Sequence, residues 1–502
     1  MYSFLPKAIK TADALASGKY GIPELTLMKN AARRSLDFIY PHIKQTSRIT
    51  VLCGKGNNAG DGYEIAFLLL KKWYDVCVVN VLGAFPSSDS AKSCFSSYTD
   101  AGGTILGIDE CNDRISCSDV IIDAIFGIGF CGNIETDSVC GDIIEKANRA
   151  NAFRIAIDTP SGVNCNDGTI SSATFRADLT VVISLIKTGL LSYPARECCG
   201  ELKTADIGFP KELIAELERD ALIPDDEYIK NTLPKRKRSS HKGDFGKLLM
   251  LCGSRLMTGA PYLCASAALR TGAGLITVAA DEKTLGVLQA RLTEPVFSLI
   301  ENIGSEKSLD ELIRLCDASS AVLIGCGLGK SPEITKTVLH IIKNTKSRLI
   351  IDADGINALS ENINVVKEAK QTPILTPHPL EFSRITGKTT AEIQSSRITC
   401  AKEFSLKYSC VTVLKGAATV ICGPDGRLAV NTTGNAGLAK GGSGDVLAGV
   451  VSSFVCQGLS AFDAAVSAVY LHGKAADILR EQISEYGLLP SDLPLAIAKL
   501  LP

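Results

Sequence analysis

A β-run, a glycine-rich turn, a helix and a second β-run follow one another between Arg48 and Val81, and this order constrains the fold more than any other feature. The first run covers 48–53, the turn reads GKGNNAGDG, and the second run covers 76–81. Strand, turn, helix and strand in this order form the repeating unit of a parallel sheet. The turn then lies at the carboxyl edge of the sheet, where such folds bind ligands.

Polar residues end two further apolar runs of the same half, at Asp123 and at Asp158. Because parallel strands share one carboxyl edge, we expect Asn58, Asp123 and Ser161 to converge there. Their oxygens are hard ligands that suit a group I or group II cation. Each residue alone is more typical of a turn or a helix cap, whereas the three together favour a cation site. Lys187 also follows an apolar run, and it either meets a phosphate or is a solvated strand end.

The second half repeats the pattern with five apolar runs that end in polar or glycine-rich loops, at 247–252, 321–324, 348–351, 374–375 and 411–414. These runs indicate a second open α/β sheet with one ligand edge. His378 stands between two prolines at one strand end and is interpreted as a substrate contact, although most isolated histidines are structural. Lys415 either holds a phosphate or is only a positively charged strand end.

The glycine-rich stretch KGGSGD precedes apolar residues that recur at helical spacing from Val446. Backbone N–H groups at a helix N-terminus bind anions, and the helix dipole favours negative charge there. We therefore expect the dipole to lower the pKa of Asp445 and to keep it ionised as a base for phosphoryl transfer. The alternative is a glycine turn in which Asp445 is only an N-cap.

Length and composition limit the remaining choices. The 502 residues suggest at least two domains, and the charged segment 211–238, with its KRKR run, predicts an exposed linker between domains 1–220 and 221–502. A net charge of -1 argues against a nucleic-acid partner. The 18 cysteines form no CxxC pair and no long apolar run opens the chain, which predicts a cytoplasmic protein without a membrane partner. We also expect a homo-oligomer.

The N-terminal half resembles the NAD(P)H-hydrate epimerase family through GNNAGDG, DAIFGIGF, DTPSG and KTGL. The resemblance implies a Rossmann-like three-layer α/β/α domain that binds a potassium ion through Asn58, Asp123 and Ser161. Asp158 is the expected polar contact close to the nicotinamide ring. The implied contacts to the hydrated nucleotide are Asn57, Asn58, Ala59, Gly60, Asp61, Gly127, Ile128, Gly129, Phe130, Cys131, Gly132, Asn133 and Asp158. Ala59 stands where the family usually has glycine, which removes backbone freedom from the loop.

The C-terminal half resembles the ADP/ATP-dependent NAD(P)H-hydrate dehydratase family, a ribokinase-like α/β fold, through HKGDFG, TGAP, GCGLG, DADGIN, LTPHP, LKGAAT and NAGLAKGGSGD. Lys440 stands where threonine is common, and it strengthens phosphate binding if it points at the nucleotide. The hydrate would contact Ala260, Gly327, His378 and Asp445. The implied nucleotide contacts are Lys415, Gly416, Ala417, Ala418, Thr419, Asn435, Gly441, Gly442, Ser443 and Gly444.

Together the two resemblances imply a bifunctional metabolite repair enzyme. The first domain would interconvert the R and S forms of hydrated NADH or NADPH. The second would dehydrate the S form at the expense of ADP, with Mg²⁺, giving AMP and phosphate, and with Asp445 as general base. ADP is the expected donor because fused forms of the family commonly use it. The alternative is a ribokinase-like small-molecule kinase fused to a non-catalytic Rossmann-like binding module.

Overall fold

The computed structural model describes all 502 residues, which divide into two compact units. One unit comprises residues 2–221, and the other comprises residues 222–502 together with Met1. Each unit is built on its own sheet, and the predicted α/β class is confirmed. No helix of the protein is long and apolar enough to cross a membrane.

The first unit contains a seven-stranded sheet in which every neighbouring pair is parallel. In order across the sheet the strands are Thr104–Leu106, Asp75–Asn80, Arg48–Cys53, Val120–Ala124, Phe153–Ile157, Leu179–Ile183 and Glu201–Ala205. The helices are Pro6–Gly18, Glu24–Ile39, Asn57–Leu70, Asp89–Asp100, Cys111–Ser116, Val139–Arg149, Ala195–Cys198 and Lys211–Glu216.

Successive residues of the central strand enter two separate cores, because side chains alternate between the faces of a sheet. Val51 joins a core with Tyr63 of the helix Asn57–Leu70, whereas Leu52 joins a core with Ile143 of the helix Val139–Arg149. Helices therefore cover both faces, which explains why the inner strands are apolar along almost their whole length. The result is a three-layer α/β/α unit.

Nine strands lie wholly within the second unit, and seven of them form a continuous parallel block. The order across the sheet is Leu428–Val430, Val420–Cys422, Val411–Leu414, Ile374–Leu375, Arg348–Ile351, Ala321–Ile324, Lys247–Leu251, Leu275–Ala280 and Val296–Leu299. Val420–Cys422 runs antiparallel to both of its neighbours, so the last two strands extend the sheet as hairpins. The larger helices are Gly259–Arg270, Glu282–Gln289, Glu306–Asp317, Pro332–Asn344, Pro379–Thr386, Arg397–Tyr408, Ser443–Cys456 and Ala461–Gly487.

The helix Ser443–Cys456 lies at the centre of this unit and is buried from Val446 to its end. It approaches the helix Gly259–Arg270 so closely that a Cβ atom on Gly449 would lie 2.3 Å from the carbonyl oxygen of Cys264. Such a contact requires glycine. The helix and its preceding glycine loop are therefore held at a fixed position at the sheet edge.

The expectation of an exposed linker over 211–238 is wrong for part of that segment. Asp226–Thr232 is a helix whose Ile229, together with Leu233, is buried in the core of the second unit. The Tyr228 hydroxyl donates to Asp463 Oδ1 at 2.8 Å. The apolar pair at i and i+4 is the helical signal, and it was masked by the charged residues around it. The basic run at 235–238 is exposed as expected.

Candidate functional site

Three loops of the first unit bring Asn58, Asp123 and Ser161 together at the carboxyl edge of the sheet. Ser161 donates to Asp123 twice, from Oγ to Oδ1 and from the backbone N–H to Oδ2, each at 2.7 Å. Phe126 links the other two, because its N–H donates to Ser161 Oγ at 3.0 Å and its carbonyl accepts from Asn58 Nδ2 at 2.9 Å. Because the parallel strands share one carboxyl edge, the three predicted residues meet there in one hydrogen-bond network.

The trio has the chemistry of a monovalent cation site. Asp123 is fully buried, and burial raises its pKa to about 6, although hydrogen bonds from Ser161 and Ile125 oppose the rise. The Oδ1 atom of Asn58 is buried without a hydrogen-bond partner. An unpartnered buried oxygen costs about 1–3 kcal/mol, and a cation beside it would remove that cost. These residues therefore fit a potassium ion.

Lys187 is neither a solvated strand end nor free to reach a phosphate. Only 1% of its surface is exposed, and its ammonium forms an ion pair with Asp158 while donating to the carbonyl of Ile183 at 3.0 Å. Asp158 has a φ of 69°, and its Oδ1 also accepts the Ile183 N–H at 3.1 Å. A left-handed backbone at a residue other than glycine is strained, and such strain is concentrated at functional sites.

A cavity of about 700 Å³ opens beside this pair. Asp61 lines it, and burial, reinforced by the charge of Asp158, raises the pKa of Asp61 well above its ordinary value. The carboxyl of Asp13 also lines it, with a pKa that desolvation and Asp158 raise to about 6. The site therefore places Asp61, whose pKa burial raises, near Asp158, which Lys187 holds in an ion pair, and carboxyls in such a setting are candidates for acid–base chemistry.

Most of the implied nucleotide contacts line this cavity, namely Asn57, Asn58, Asp61, Gly127, Ile128, Gly129, Phe130, Cys131 and Asp158. Ala59 and Gly60 lie beneath it, buried against the core. Asn133 bonds instead to Glu135 and to Ser172, and Gly132 is outside the lining as well. Sequence reasoning missed the part of the lining that the N-terminal helices contribute, which includes Asp13, Glu24 and Met28.

Asp445 occupies the first turn of the central helix of the second unit, after Gly442, whose φ is 103°. The expectation that the helix dipole lowers its pKa is wrong. Burial, followed by the negative charge of Asp352, raises the pKa of Asp445 to about 7. Loss of hydration and repulsion between carboxylates outweigh the dipole, which contributes about 0.3–1 kcal/mol. A carboxylate that titrates near neutrality is well matched to general-base catalysis.

Lys415 lies directly beside the glycine loop. Its Nζ is 2.7 Å from Asp352 Oδ1 and 3.8 Å from Glu381 Oε2. A Cβ atom on Gly444 would lie only 3.4 Å from the same Nζ, so the loop backbone and the ammonium are close neighbours. Thr376 Oγ1 donates to Asp352 Oδ1 at 2.8 Å and fixes the carboxylate from the other side. A phosphate on the loop would meet both backbone N–H groups and this positive charge.

Arg397 is a functional candidate that the sequence did not reveal. Its guanidinium is buried, has no carboxylate partner, and donates to the carbonyls of Leu414 and Lys415 at 2.8 and 3.2 Å. It also lies against Gly416, where a Cβ atom would be 3.0 Å from the guanidinium nitrogens. Burial lowers the pKa of Arg397 to about 10, so it stays charged. The loop that starts at Lys415 therefore rests on a fixed cation.

His378 is the N-cap of a helix and hydrogen-bonds to its first turn. Its Nδ1 accepts from the N–H groups of Leu380 and Glu381 at 3.1 and 3.2 Å, capping the helix Pro379–Thr386. Its Nε2 lies 3.3 Å from Glu381 Oε1, and burial lowers the pKa of His378. Because Nδ1 accepts, the proton of the neutral ring is on Nε2. That Nε2–H faces the carboxylate group that also neighbours Lys415.

Gly327 and Ala260, the remaining predicted contacts to the hydrate, lie next to each other. A Cβ atom on Gly327, which has a φ of 63°, would lie 2.9 Å from the Cβ of Ala260 and 3.0 Å from the carbonyl of Met257. The two predicted residues are therefore adjacent, and any side chain at 327 would fill the space between them.

The rest of the predicted nucleotide loop is a set of turns. Thr419 Oγ1 donates to the carbonyl of Gly416 at 2.8 Å and closes the turn that contains Ala417 and Ala418. Asn435 caps the next turn by accepting from Gly437 at 3.0 Å. Lys440 does not point at a nucleotide site as its position suggested, because Nζ donates to the carbonyls of residues 486 and 488 at 2.6 Å each.

Comparison with known proteins agrees with this geometry. The family model described as NAD(P)H-hydrate dehydratase matches residues 248–499, and that described as YjeF-related protein N-terminus matches residues 24–189. The fold and the two sites thus define a fused two-unit protein of these classes. A Bifunctional NAD(P)H-hydrate repair enzyme Nnr of Moorella thermoacetica is 34% identical over 98% of this chain and 95% of its own, and one of Escherichia coli is 32% identical over 97% and 91%.

The chain belongs to the bifunctional NAD(P)H-hydrate repair enzyme family, and the resemblance seen in the sequence is confirmed over nearly its whole length. Among solved structures, an ADP/ATP-dependent NAD(P)H-hydrate dehydratase from Bacillus subtilis, co-crystallized with ATP/Mg²⁺, matches with a TM-score of 0.48 at 32% identity. That match covers 56% of this chain and 97% of the other.

Proposed function

We propose that the first unit interconverts the R and S forms of hydrated NADH and NADPH, and that the second dehydrates the S form with ADP, giving AMP and phosphate. The observation that carries the proposal is Asp445, a carboxylate with a pKa of about 7 at the N-terminus of a helix beside Lys415. Membership of the family supports the pairing of the two reactions. We further propose that residues 1–220 carry the epimerase and residues 221–502 the dehydratase.

Dehydration needs help because hydroxide is a poor leaving group. In the proposed reaction the ring hydroxyl attacks the terminal phosphorus of ADP while Asp445 takes its proton. AMP departs, and the phosphate ester then breaks at the C–O bond as a ring proton is lost, which restores the double bond. N–H groups of the loop 441–444 and the ammonium of Lys415 stabilise the transferred phosphoryl group.

The carboxylates of Asp352 and Glu381 are both engaged by Lys415, so the protein offers few free oxygens for Mg²⁺ at this point. Phosphates are preferred ligands of Mg²⁺, which we expect to enter with ADP and to neutralise phosphate charge. We assign His378 to the hydrate through Nε2 and Gly327 with Ala260 to the shape of its pocket.

Epimerisation requires the hydroxyl to leave one face of the ring and to return on the other. We propose that the protonated Asp61 gives its proton to the departing hydroxyl, which leaves as water. The resulting ring cation is stabilised by Asp158, whose position Lys187 fixes. Water then adds to the opposite face and returns a proton to Asp61. A potassium ion on Asn58, Asp123 and Ser161 would neutralise Asp123 and hold the loop at 57–61 in place.

The test uses an equal mixture of the two epimers with ADP and Mg²⁺, followed by absorbance of the reduced nicotinamide. The wild type should convert the whole mixture. Asp445→Asn should lose about 10²–10⁴ in dehydration rate while the epimers still interconvert, because only a base is removed. Asp61→Asn should convert the S form and then slow to the spontaneous rate.

Two outcomes would refute the proposal. Accumulation of a stable phosphate ester would show a small-molecule kinase instead. Complete conversion by Asp61→Asn at the wild-type rate would leave the first unit as a binding module. A cytoplasmic location is proposed from the 18 cysteines, which form no CxxC pair in the sequence, and a homo-oligomer stays a prediction.

A further inference from the structure

A cluster of cysteine thiols lies against Asp445, and the proposed reaction makes no use of it. Cys264 is on the helix Gly259–Arg270, and Cys326 follows the strand Ala321–Ile324; both are fully buried. The two Sγ atoms and a carboxylate oxygen of Asp445 all lie within 4.8 Å of one another. Cys252 is a further buried thiol that interacts with both cysteines.

We propose that Cys264, Cys326 and Asp445 form a site for a thiophilic divalent cation, Zn²⁺ or Cd²⁺, and that the bound ion inhibits the dehydratase reaction. Two thiolates with one carboxylate are a donor set for borderline and soft ions. Mg²⁺ prefers six oxygen ligands, so the same donor set discriminates against the ion that accompanies ADP.

The observed separations suit such an ion. Around tetrahedral Zn²⁺, with bonds of about 2.3 Å to sulfur and about 2.1 Å to oxygen, neighbouring ligand atoms are roughly 3.5–3.8 Å apart. Contraction from at most 4.8 Å therefore requires each side chain to move by about 1 Å or less. On binding, each thiol loses its proton to solvent and forms one metal–sulfur bond, so two protons are released per ion, together with any proton that Asp445 carries at that pH. Asp445 is only partly buried and supplies the open side from which an ion enters.

Inhibition follows from the shared carboxylate, and this part rests on the proposed function. A carboxylate that ligates a dication cannot accept the proton of the ring hydroxyl, because its lone pair and its charge are already engaged. Cys326 donates a hydrogen bond to the Asp445 carboxylate, whereas Cys264 bonds to the neighbouring thiols. Removing Cys264 should therefore abolish metal sensitivity and preserve the reaction.

The binding experiment uses the full chain with Cd²⁺ alone and no nucleotide, and follows the ultraviolet charge-transfer band of Cd–thiolate bonds. Cys264→Ala should weaken binding of one ion per chain by about tenfold or more, since removal of one of three ligands costs at least that much. Cys326→Ala is the second variant. Cys117→Ala is the matched control, because Cys117 is an exposed thiol of the first unit and its loss should leave that ion's affinity unchanged.

The activity experiment adds Cd²⁺ at fixed excess Mg²⁺ and ADP. At a concentration that lowers wild-type dehydration about tenfold, Cys264→Ala should keep most of its metal-free rate. Equal charge-transfer bands in wild type and Cys264→Ala, or equal inhibition of the two, would overturn the inference. A wild type without dehydratase activity in the absence of Cd²⁺ would refute the proposed function instead, and the band would still decide whether the ion binds.

Discussion

The pKa of Asp445 leads to a pH profile that the structure specifies in advance. If dehydration requires the ionised carboxylate and its pKa is about 7, about 9% of the enzyme is active at pH 6 and about 91% at pH 8. The rate at saturating substrate should therefore rise about tenfold between these two values. The sign follows from the base role, since protonation on the acid side removes the acceptor.

Asp352→Asn tests the physical cause of that pKa. Burial is the main cause of its rise, and the charge of Asp352 is the second. Asparagine has nearly the same shape and removes only the charge, so the midpoint should move below 7. Lys415 then has one carboxylate neighbour fewer, and its positive charge lowers the pKa of Asp445 in the same direction. A shift of one pKa unit corresponds to 1.36 kcal/mol. Even a smaller fall in the pKa of Asp445 would raise the rate at pH 6, relative to the rate at pH 8, about threefold above the wild-type value.

The assay is the initial rate of reduced nicotinamide formation between pH 5.5 and 8.5 with saturating ADP and S-hydrate. ADP itself titrates in this range, and comparison with the wild type at each pH removes its contribution, since it is the same for both proteins. Thermal unfolding of Asp352→Asn serves as the control for folding. A flat wild-type profile between pH 5.5 and 8.5 would show that the pKa of the catalytic base is not raised. A variant whose midpoint moves above that of the wild type would show that the charge of Asp352 does not raise it.

Three further predictions concern the remaining sites. Potassium at the proposed site should bind more weakly as pH falls, because burial raises the pKa of Asp123 and a proton on this carboxylate competes with the ion; Asp123→Asn should bind it weakly at every pH, and ²³Na or ³⁹K NMR line widths would show this. Lys187→Met leaves Asp158 buried without its partner and should lower the free energy of unfolding of the first unit by about 3–5 kcal/mol in urea; an unchanged midpoint would contradict the ion pair's importance. Ile229→Ala should destabilise the second unit by about 2–5 kcal/mol, whereas a truly exposed linker residue would change nothing measurable.

The sequence predicted the positions of site residues correctly wherever the topology of the sheet alone decides where a side chain lies. Parallel strands share one carboxyl edge, so Asn58, Asp123 and Ser161 had to converge once the runs were identified as strands. The same rule placed Lys415 and Asp445 at one edge of the second sheet. Motif resemblance then supplied the family, and the comparisons confirm it.

Three features lay beyond the sequence because they depend on tertiary burial or on very short elements. Whether Asp445 is ionised depends on how much water the fold removes from it, and no local pattern reports that. Asp13 reaches the first site only because an N-terminal helix contributes to the cavity. The hairpin strands Val420–Cys422 and Leu428–Val430 have three residues each, too few for a period to be read.

The hydrogen bonds that Lys440 donates to main-chain carbonyls are of a kind that sequence covariation does not detect. Its ammonium is held by two main-chain carbonyls, at Tyr486 and Leu488, and the ring of Tyr486 is 96% exposed. Residue 486 can therefore change its side chain freely while the tether to the glycine loop persists. Paired substitutions between aligned columns reveal contacts between side chains, so this contact would leave no covariation signal. In this chain the contact depends on the side chain at position 440 alone, and its counterpart is the path of the main chain rather than any residue type.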